Sequence, residues 1–271
     1  MRSQRSTLSW SSFWITGASS GIGAALARRL SRTGVTLYLS GRSRERLEAV
    51  ATDCRAGGAT ATVVPFDMAD PAARAAAIET ILAADPVPRV LVNNAGLSQR
   101  GEAIETDVSV DRTIMEVDYL AAVELTKAVL PSLIAAGDGC IVAVSSVAGL
   151  APVPIRSSYN AAKAAQLAFF GTLANELPGT GVQVNLVIPG FVKTAVSMNA
   201  LTGSGAASGV MDPNQSGGID PDAAAADIIR GLAANRRRIY TGMTARLRFM
   251  LVLAKLVPRL LDRILQTSEV R

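Results

Sequence analysis

Tyr159 and Lys163 lie four residues apart in the Ala-rich run Ser157–Ala165. A helix there places both side chains on one face. A tyrosine ordinarily keeps its proton up to about pH 10. An ammonium group one helical turn away favours the phenolate. The pair therefore predicts a phenol that gives and takes a proton near neutral pH. The chain contains no histidine, so the commonest proton-transfer side chain is missing and a tuned tyrosine is its natural substitute.

A second group of residues suits phosphate. Gly17, Gly21 and Gly23 follow the apolar run ending at Thr16 and open an amphipathic stretch with Ile22, Leu26 and Leu30 on one stripe. The spacing is TGxxxGxG. Gly17 permits a tight turn, and Gly21 and Gly23 are expected to let a pyrophosphate approach backbone amides at a helix N-terminus. The next strand ends in Ser40-Gly41-Arg42-Ser43, with no acid before Glu45. An acid at that place would accept from a ribose 2′-hydroxyl. Arg42 instead suits a 2′-phosphate through a forked contact, with Ser43 or Arg46 as helpers. The expected cofactor is NADP(H) rather than NAD(H).

These groups need a scaffold. Strands are expected at Ser12–Thr16, Val35–Ser40, Thr60–Phe66, Arg89–Val92, Cys140–Ser145, Val182–Ile188 and Arg238–Tyr240. Helices are expected at Gly21–Thr33, Arg44–Arg55, Pro71–Ala84, Ser109–Ala136 (kinked near Pro131), Ser157–Leu177 and Asp222–Asn235. This alternation predicts a single α/β domain, a Rossmann-type doubly wound parallel sheet with helices on both faces. Hydrophobic residues make up 49% of the chain and aromatics only 4%, which calls for an aliphatic core of the parallel-sheet kind. The Gly- and Ser-rich stretch Thr202–Gly218 is expected to be a mobile insertion. Cys54 and Cys140 lack metal-type spacing, so neither zinc nor a disulfide framework is expected. The domain is expected to span residues 1–242, followed by a basic amphipathic tail at 243–271.

With the motifs in place, the chain resembles the short-chain dehydrogenase/reductase superfamily over about residues 12–242. The resemblance rests on Thr16–Gly23, Asn93-Asn94-Ala95-Gly96, Ser146, Tyr159-Asn160-Ala161-Ala162-Lys163 and Pro189–Thr194, in that order. It implies a cofactor loop of Gly17, Ser19, Ser20, Gly21, Ile22 and Gly23. It implies further cofactor contacts from Asp67 and Met68 at the adenine, from Asn93, Ala95 and Gly96 beside the cofactor, and from Pro189, Gly190, Val192 and Thr194 at the nicotinamide. Asn93 has an alternative role in tying strands together. Ser146 precedes Tyr159 by thirteen residues, the family's spacing. It would hydrogen-bond the substrate carbonyl while Tyr159 protonates it. Lys163 would assist Tyr159 and hold the ribose. Where the family usually carries Asn, this chain has Asp118. The family's residue acts through its backbone carbonyl; a carboxylate could keep that role or stand beside Lys163.

The substrate walls are expected from Leu97, Ser146, Val147, Val153, Pro154, Ile155, Phe191, Met198 and Leu201, with Arg156 and Lys193 as rim cations. They suit a hydrophobic ketone or aldehyde, or its alcohol. Thr194–Asp212 resembles the lid of the subgroup of lipid and steroid reductases around dehydrogenase/reductase member 7B. Alternatives are an acyl-dihydroxyacetone-phosphate-type lipid reductase, a dehydratase or epimerase, or an idle NADP-sensing scaffold. The net charge of +5 resides largely in the tail, where six basic residues face two acidic ones. That is a basic tail rather than a basic groove, and no nucleic-acid partner is expected. Phe249, Leu253, Leu256, Val257, Leu260 and Ile264 share a stripe opposite Arg248, Lys255, Arg259, Asp262 and Arg263. The tail is expected either to touch a membrane surface or to pack on the protein. No signal peptide is expected; the expected location is cytoplasmic, with membrane association as the alternative. A homodimer or homotetramer is expected.

Overall fold

The computed structural model describes residues 8–267. Glu269 and Arg271 of the basic tail lie outside them. The strands are β1 (Ser12–Thr16), β2 (Thr36–Ser40), β3 (Thr60–Val63), β4 (Val90–Asn93), β5 (Gly139–Val144), β6 (Val182–Pro189) and β7 (Arg238–Thr241). They form one parallel sheet in the order β3-β2-β1-β4-β5-β6-β7. Strand order reverses between β1 and β4, which opens a crevice at their carboxyl ends. Every residue of β1, β4 and β5 is buried, as expected for strands covered on both faces.

Alternation along the strands sorts side chains into two cores. Phe13, Ile15, Leu37 and Leu39 meet α1 (Gly21–Leu30), α2 (Arg44–Ala56) and α8 (Pro221–Ala233). Trp14, Leu91, Ile141 and Leu186 face the other way. They meet α3 (Pro71–Leu82), α5 (Ala121–Ala136) and α6 (Ser157–Glu176). Capping explains several helix starts. Asp70, Asp220 and Thr244 each accept a hydrogen bond from backbone N–H groups of the helix that follows, and Pro71 and Pro221 occupy first-turn positions that need no donor.

The long helix expected at 109–136 is interrupted, though not at Pro131. α4 (Val108–Met115) passes into a π-helical turn at Glu116–Leu120, and α5 then runs through Pro131 to Ala136. The turn bulges Asp118 inward, where its backbone carbonyl accepts from Gln166 Nε2 at 2.5 Å. Such π-turns concentrate at functional sites. Residues 108–136 are long and apolar enough to cross a membrane by composition. Here Leu125, Val129 and Leu133 are buried against the sheet, as in a core helix.

The insertion expected to be mobile is tied down. Thr202 and Ser208 N–H groups bond Ala206 and Ala200 carbonyls, Leu201 bridges both Gln99 and Ala207, and α7 (Pro213–Ser216) closes the segment. The tail forms α9 (Ala245–Leu256) and α10 (Pro258–Thr267). Leu247, Leu253 and Leu261 are buried, while Phe249, Val252, Leu256, Val257 and Leu260 remain exposed. Of the stripe expected to share one environment, Leu253 alone turns fully inward.

Candidate active site

A cavity of about 1290 Å³ opens over the carboxyl ends of the central strands. At one end lies the turn between β1 and α1. Gly17 and Gly21 adopt φ of +64° and +53°, a region that favours glycine. Ser20 precedes α1 without making a side-chain cap, so the helix keeps first-turn N–H donors for an anion. Gly17, Ser19, Ser20, Gly21 and Ile22 line the cavity. Gly23 does not; a Cβ there would strike the Gly17 carbonyl and come within 2.6 Å of Asn94 Nδ2. Its hydrogen is needed for packing under the turn rather than for approach of a phosphate.

Arg42 and Arg46 face the same end of the cavity from beyond β2, and Asp67 and Met68 from beyond β3. Ser43 instead caps α2, accepting from Arg46 N at 3.3 Å. Glu45, the acidic residue nearest the end of β2, does not line the cavity. An uncapped helix start, glycines with left-handed backbone and two arginines fit a dinucleotide carrying an additional phosphate.

Asn93 does not line the cavity and takes a structural role instead. Its side chain is buried and donates to Thr126 Oγ1 at 2.9 Å, tying β4 to α5. Its neighbour Asn94 lines the cavity and donates to the carbonyls of Thr16 at 3.0 Å and Gly17 at 3.3 Å. It locks the glycine turn to β4. Strand alternation determines which Asn of the pair turns to the turn, and that parity was open in the sequence. Ala95 and Gly96, expected beside the cofactor, and Pro189, Gly190, Val192 and Thr194, expected at the nicotinamide, all line the cavity.

Ser146, Tyr159, Lys163 and Asp118 all reach the cavity wall. Ser146 follows β5 and its Oγ accepts from Ala148 N at 3.2 Å. Ser145 turns away and donates to the Lys163 carbonyl at 2.8 Å, anchoring α6 to the sheet. Lys163 is 4% exposed. Its Nζ lies 3.1 Å from Asp118 Oδ2, 3.2 Å from the Val144 carbonyl, 3.3 Å from Gln166 Oε1 and 5.7 Å from the Tyr159 ring centre. Asp118 Oδ1 accepts from Leu97 N at 2.6 Å. The carboxylate thus stands beside Lys163, and the Asp118 carbonyl is occupied by Gln166. Burial works against the Lys163 charge, but the Asp118 carboxylate and the ionised form of Tyr159 outweigh it and hold the lysine's pKa above its ordinary value. Burial also pushes the Asp118 carboxyl up, against the opposing pull of Lys163 and the Leu97 N–H. Gly96 packs closely over the pair: a Cβ there would lie 3.1 Å from Asp118 Oδ2 and 3.2 Å from Lys163 Nζ.

Of the expected substrate walls, Leu97, Ser146, Val147, Val153 and Phe191 line the cavity. Pro154 and Met198 are exposed and outside it, Ile155 lies outside it, and Leu201 packs beside Val110, Ile114 and Ala162. These four belong to loops whose folding-back was not readable from local pattern. Lys193 is exposed and lies off the main cavity. Arg156 is not a rim cation; its side chain is 15% exposed and paired with Asp212. Ile155 just before it has φ of +57°, strained for a β-branched residue and a mark of a constrained site. The wall from α9 and α10, including Leu251, Leu253 and Leu265, was not expected. Its signal was the tail's apolar stripe, which has no fixed partner in a one-dimensional reading.

This arrangement of glycine turn, switch-point crevice and Ser–Tyr–Lys wall defines a dinucleotide-dependent oxidoreductase fold. The short chain dehydrogenase family matches residues 12–204, and the chain belongs to that family, whose members are oxidoreductases acting on CH–OH groups. It is 39% identical over 231 residues to dehydrogenase/reductase SDR family member 7B of Danio rerio, covering 83% of this chain and 75% of that one. Among solved structures it is similar to a short-chain dehydrogenase from Sphingobium yanoikuyae in complex with NADPH. That match has a TM-score of 0.77 and 29% identity, over 95% and 97% of the two chains. It is also similar to the bulky-bulky ketone specific alcohol dehydrogenase from Comamonas testosteroni, with a TM-score of 0.74 and 25% identity, over 96% and 97%.

Proposed function

We propose that the protein is an NADP(H)-dependent oxidoreductase that interconverts a hydrophobic ketone or aldehyde and its alcohol. The observation that carries this reading is the junction, in one cavity, of a phosphate cradle flanked by Arg42 with the Ser146–Tyr159–Lys163 wall. The NADPH-bound Sphingobium neighbour and the bulky-ketone-specific Comamonas neighbour support the cofactor and the substrate class. NADPH, when bound, supplies the hydride to the carbonyl carbon. Gly17, Gly21 and the α1 amides would hold its pyrophosphate, and Arg42 its 2′-phosphate. Ser146 Oγ donates a hydrogen bond to the carbonyl oxygen and fixes its position. The Tyr159 hydroxyl delivers its proton to that oxygen as charge develops there. The Lys163 ammonium, with Asp118 as counter-ion, stabilises the phenolate left behind. Oxidation of the alcohol runs the same steps backward.

The test is NADPH oxidation across a panel of bulky ketones with Tyr159→Phe as comparison. The variant is expected to lose at least about 100-fold in kcat while still binding NADPH by fluorescence. Turnover indifferent to that substitution sinks the mechanism, and an absence of turnover with retained binding points to a cofactor-sensing role instead.

We further propose that the tail contacts an anionic membrane surface. α9 is apolar on two sides. Leu247 and Leu253 face inward, while Phe249, Val252 and Leu256 are 60%, 52% and 70% exposed. Arg246 borders the outer face on one side and Arg248 and Lys255 on the other. Twelve residues are too few to span a bilayer, so the helix lies on it, next to the cavity that Phe249 and Leu251 also line. Co-sedimentation with phosphatidylcholine vesicles containing phosphatidylserine is expected, with loss in Phe249→Glu/Leu256→Glu and in high salt. Light scattering tests the expected homodimer or homotetramer. If the double variant dissociates an oligomer while vesicle binding stays absent throughout, the face covers a second copy instead.

A further inference from the structure

Arg156 stands three residues before Tyr159, and both side chains line the cavity, so they share one end of α6. The turn that aims Arg156 is fixed. Ile155 holds its left-handed conformation, and its carbonyl accepts from Gly101 N at 3.0 Å. The guanidinium does not wait for a ligand. Nη2 donates to Asp212 Oδ2 at 2.6 Å and Nη1 to Ser98 Oγ at 3.1 Å. Both members of the ion pair are 15% exposed, where charge–charge interactions are little screened.

Asp212 is held from its own side as well. Its backbone N–H donates to Ser197 Oγ at 3.1 Å, and its Oδ1 accepts from Asn214 N at 2.9 Å. The carboxylate is therefore anchored to the segment that closes the substrate end, independently of Arg156. Near Tyr159 the cavity presents two cations, each with its own carboxylate: Lys163 with Asp118 and Arg156 with Asp212. The other lining arginines are Arg42 and Arg46 beyond β2, and Arg246 and Arg248 at the start of α9.

We propose that Asp212 sets the charge preference of the substrate site by masking Arg156, so that the site takes neutral carbonyl compounds and rejects those with a carboxylate or phosphate beside the carbonyl. An incoming anion meets the Asp212 carboxylate where Arg156 would otherwise bind it, and a specificity built on such a repulsive element needs no attractive change for the neutral substrate. The inference rests on the carbonyl-reductase reading. It also separates the general hydrophobic ketone from an acyl-dihydroxyacetone-phosphate-type substrate, whose phosphate lies one carbon from the ketone.

The experiment uses a matched pair of probes, benzoylformate and its methyl ester, with the full-length protein saturated with NADPH. Dissociation constants come from the cofactor's fluorescence, and turnover is followed in parallel. Wild type is expected to bind the ester and discriminate against the acid. Asp212→Asn removes the charge but keeps the shape, and the acid-to-ester affinity ratio is expected to rise at least about tenfold, the worth of one charge-assisted hydrogen bond. Adding Arg156→Met to that variant is expected to return the ratio to the wild-type value. A ratio that stays put in Asp212→Asn overturns the proposal. So does a rise that persists in the double variant, since a loosened closing segment would then explain it. Failure of every variant to turn over either probe, with the binding shifts as expected, counts against the reductase reading alone.

Discussion

Asp118→Asn isolates the departure of this chain from its family's usual residue. The exchange is nearly isosteric, and Oδ1 can go on accepting from the Leu97 N–H, now 2.6 Å away. What disappears is one negative charge 3.1 Å from Lys163 Nζ. At an effective dielectric of about 20, the Coulomb attraction of that charge for the ammonium is about 5 kcal/mol. The Val144 carbonyl and Gln166 Oε1 stay within 3.3 Å of Nζ and retain part of the stabilisation. With Asp118 gone, burial becomes the dominant influence and the Lys163 pKa falls below its ordinary value. In the wild type it lies above that value, so the stability Lys163 contributes is fully present below about pH 10.5 and lost only above it. In the variant the sign reverses: the buried charge costs stability at low pH, and the cost is relieved as pH rises through the lowered pKa. Two measurements follow. The alkaline limb of kcat/KM for ketone reduction, normalised to its plateau, is expected to move to lower pH. The variant's Tm is expected to rise relative to the wild type's between pH 7 and 10. Superimposable rate profiles together with parallel Tm curves would refute the electrostatic account of this pair.

Three further outcomes are expected. Arg42→Ala should lower kcat/KM for NADPH by about 10- to 100-fold, the loss of a hydrogen bond to a charged group, and leave NADH almost unaffected; equal losses for both cofactors would remove Arg42 from the 2′-phosphate. Gly23→Ala should destabilise the fold by about 1–3 kcal/mol through overpacking, because its Cβ would press on the Gly17 carbonyl and Asn94. An unchanged Tm and intact NADPH binding would count against that packing role. Arg74→Met removes a 4%-exposed guanidinium that pairs with Glu116 and Glu124 and donates to the Met68 carbonyl. A loss of about 1.5–3 kcal/mol in urea unfolding is expected, with a higher KM for NADPH because Met68 lines the cavity proposed to hold the cofactor.

The α/β alternation was legible because each strand and helix carries its own period. β1 coincides with the expected Ser12–Thr16, and the other elements shift by a few residues at their ends, where fraying and caps decide. Asn93 and Asn94 show where legibility stops: both belong to one motif, and only the β4 register shows which reaches the glycine turn. Gly23 looked like a phosphate contact because spacing cannot distinguish close approach to a ligand from close approach to backbone. Pro131 looked like the kink because its chemistry is local, whereas the π-turn at Glu116–Leu120 forms to meet Leu97 and Gln166, both distant in sequence.

The sequence by itself determined the Tyr159–Lys163 face, the glycine turn, the arginine beyond β2 and the parallel fold, since each depends on neighbours within a turn or a strand. Only the tertiary structure decided the company those residues keep. Lys163 meets Asp118 and Arg156 meets Asp212 because sheet order and loop closure bring four separate segments to one cavity. A buried charge must find its partner there, and no local pattern records which one it finds.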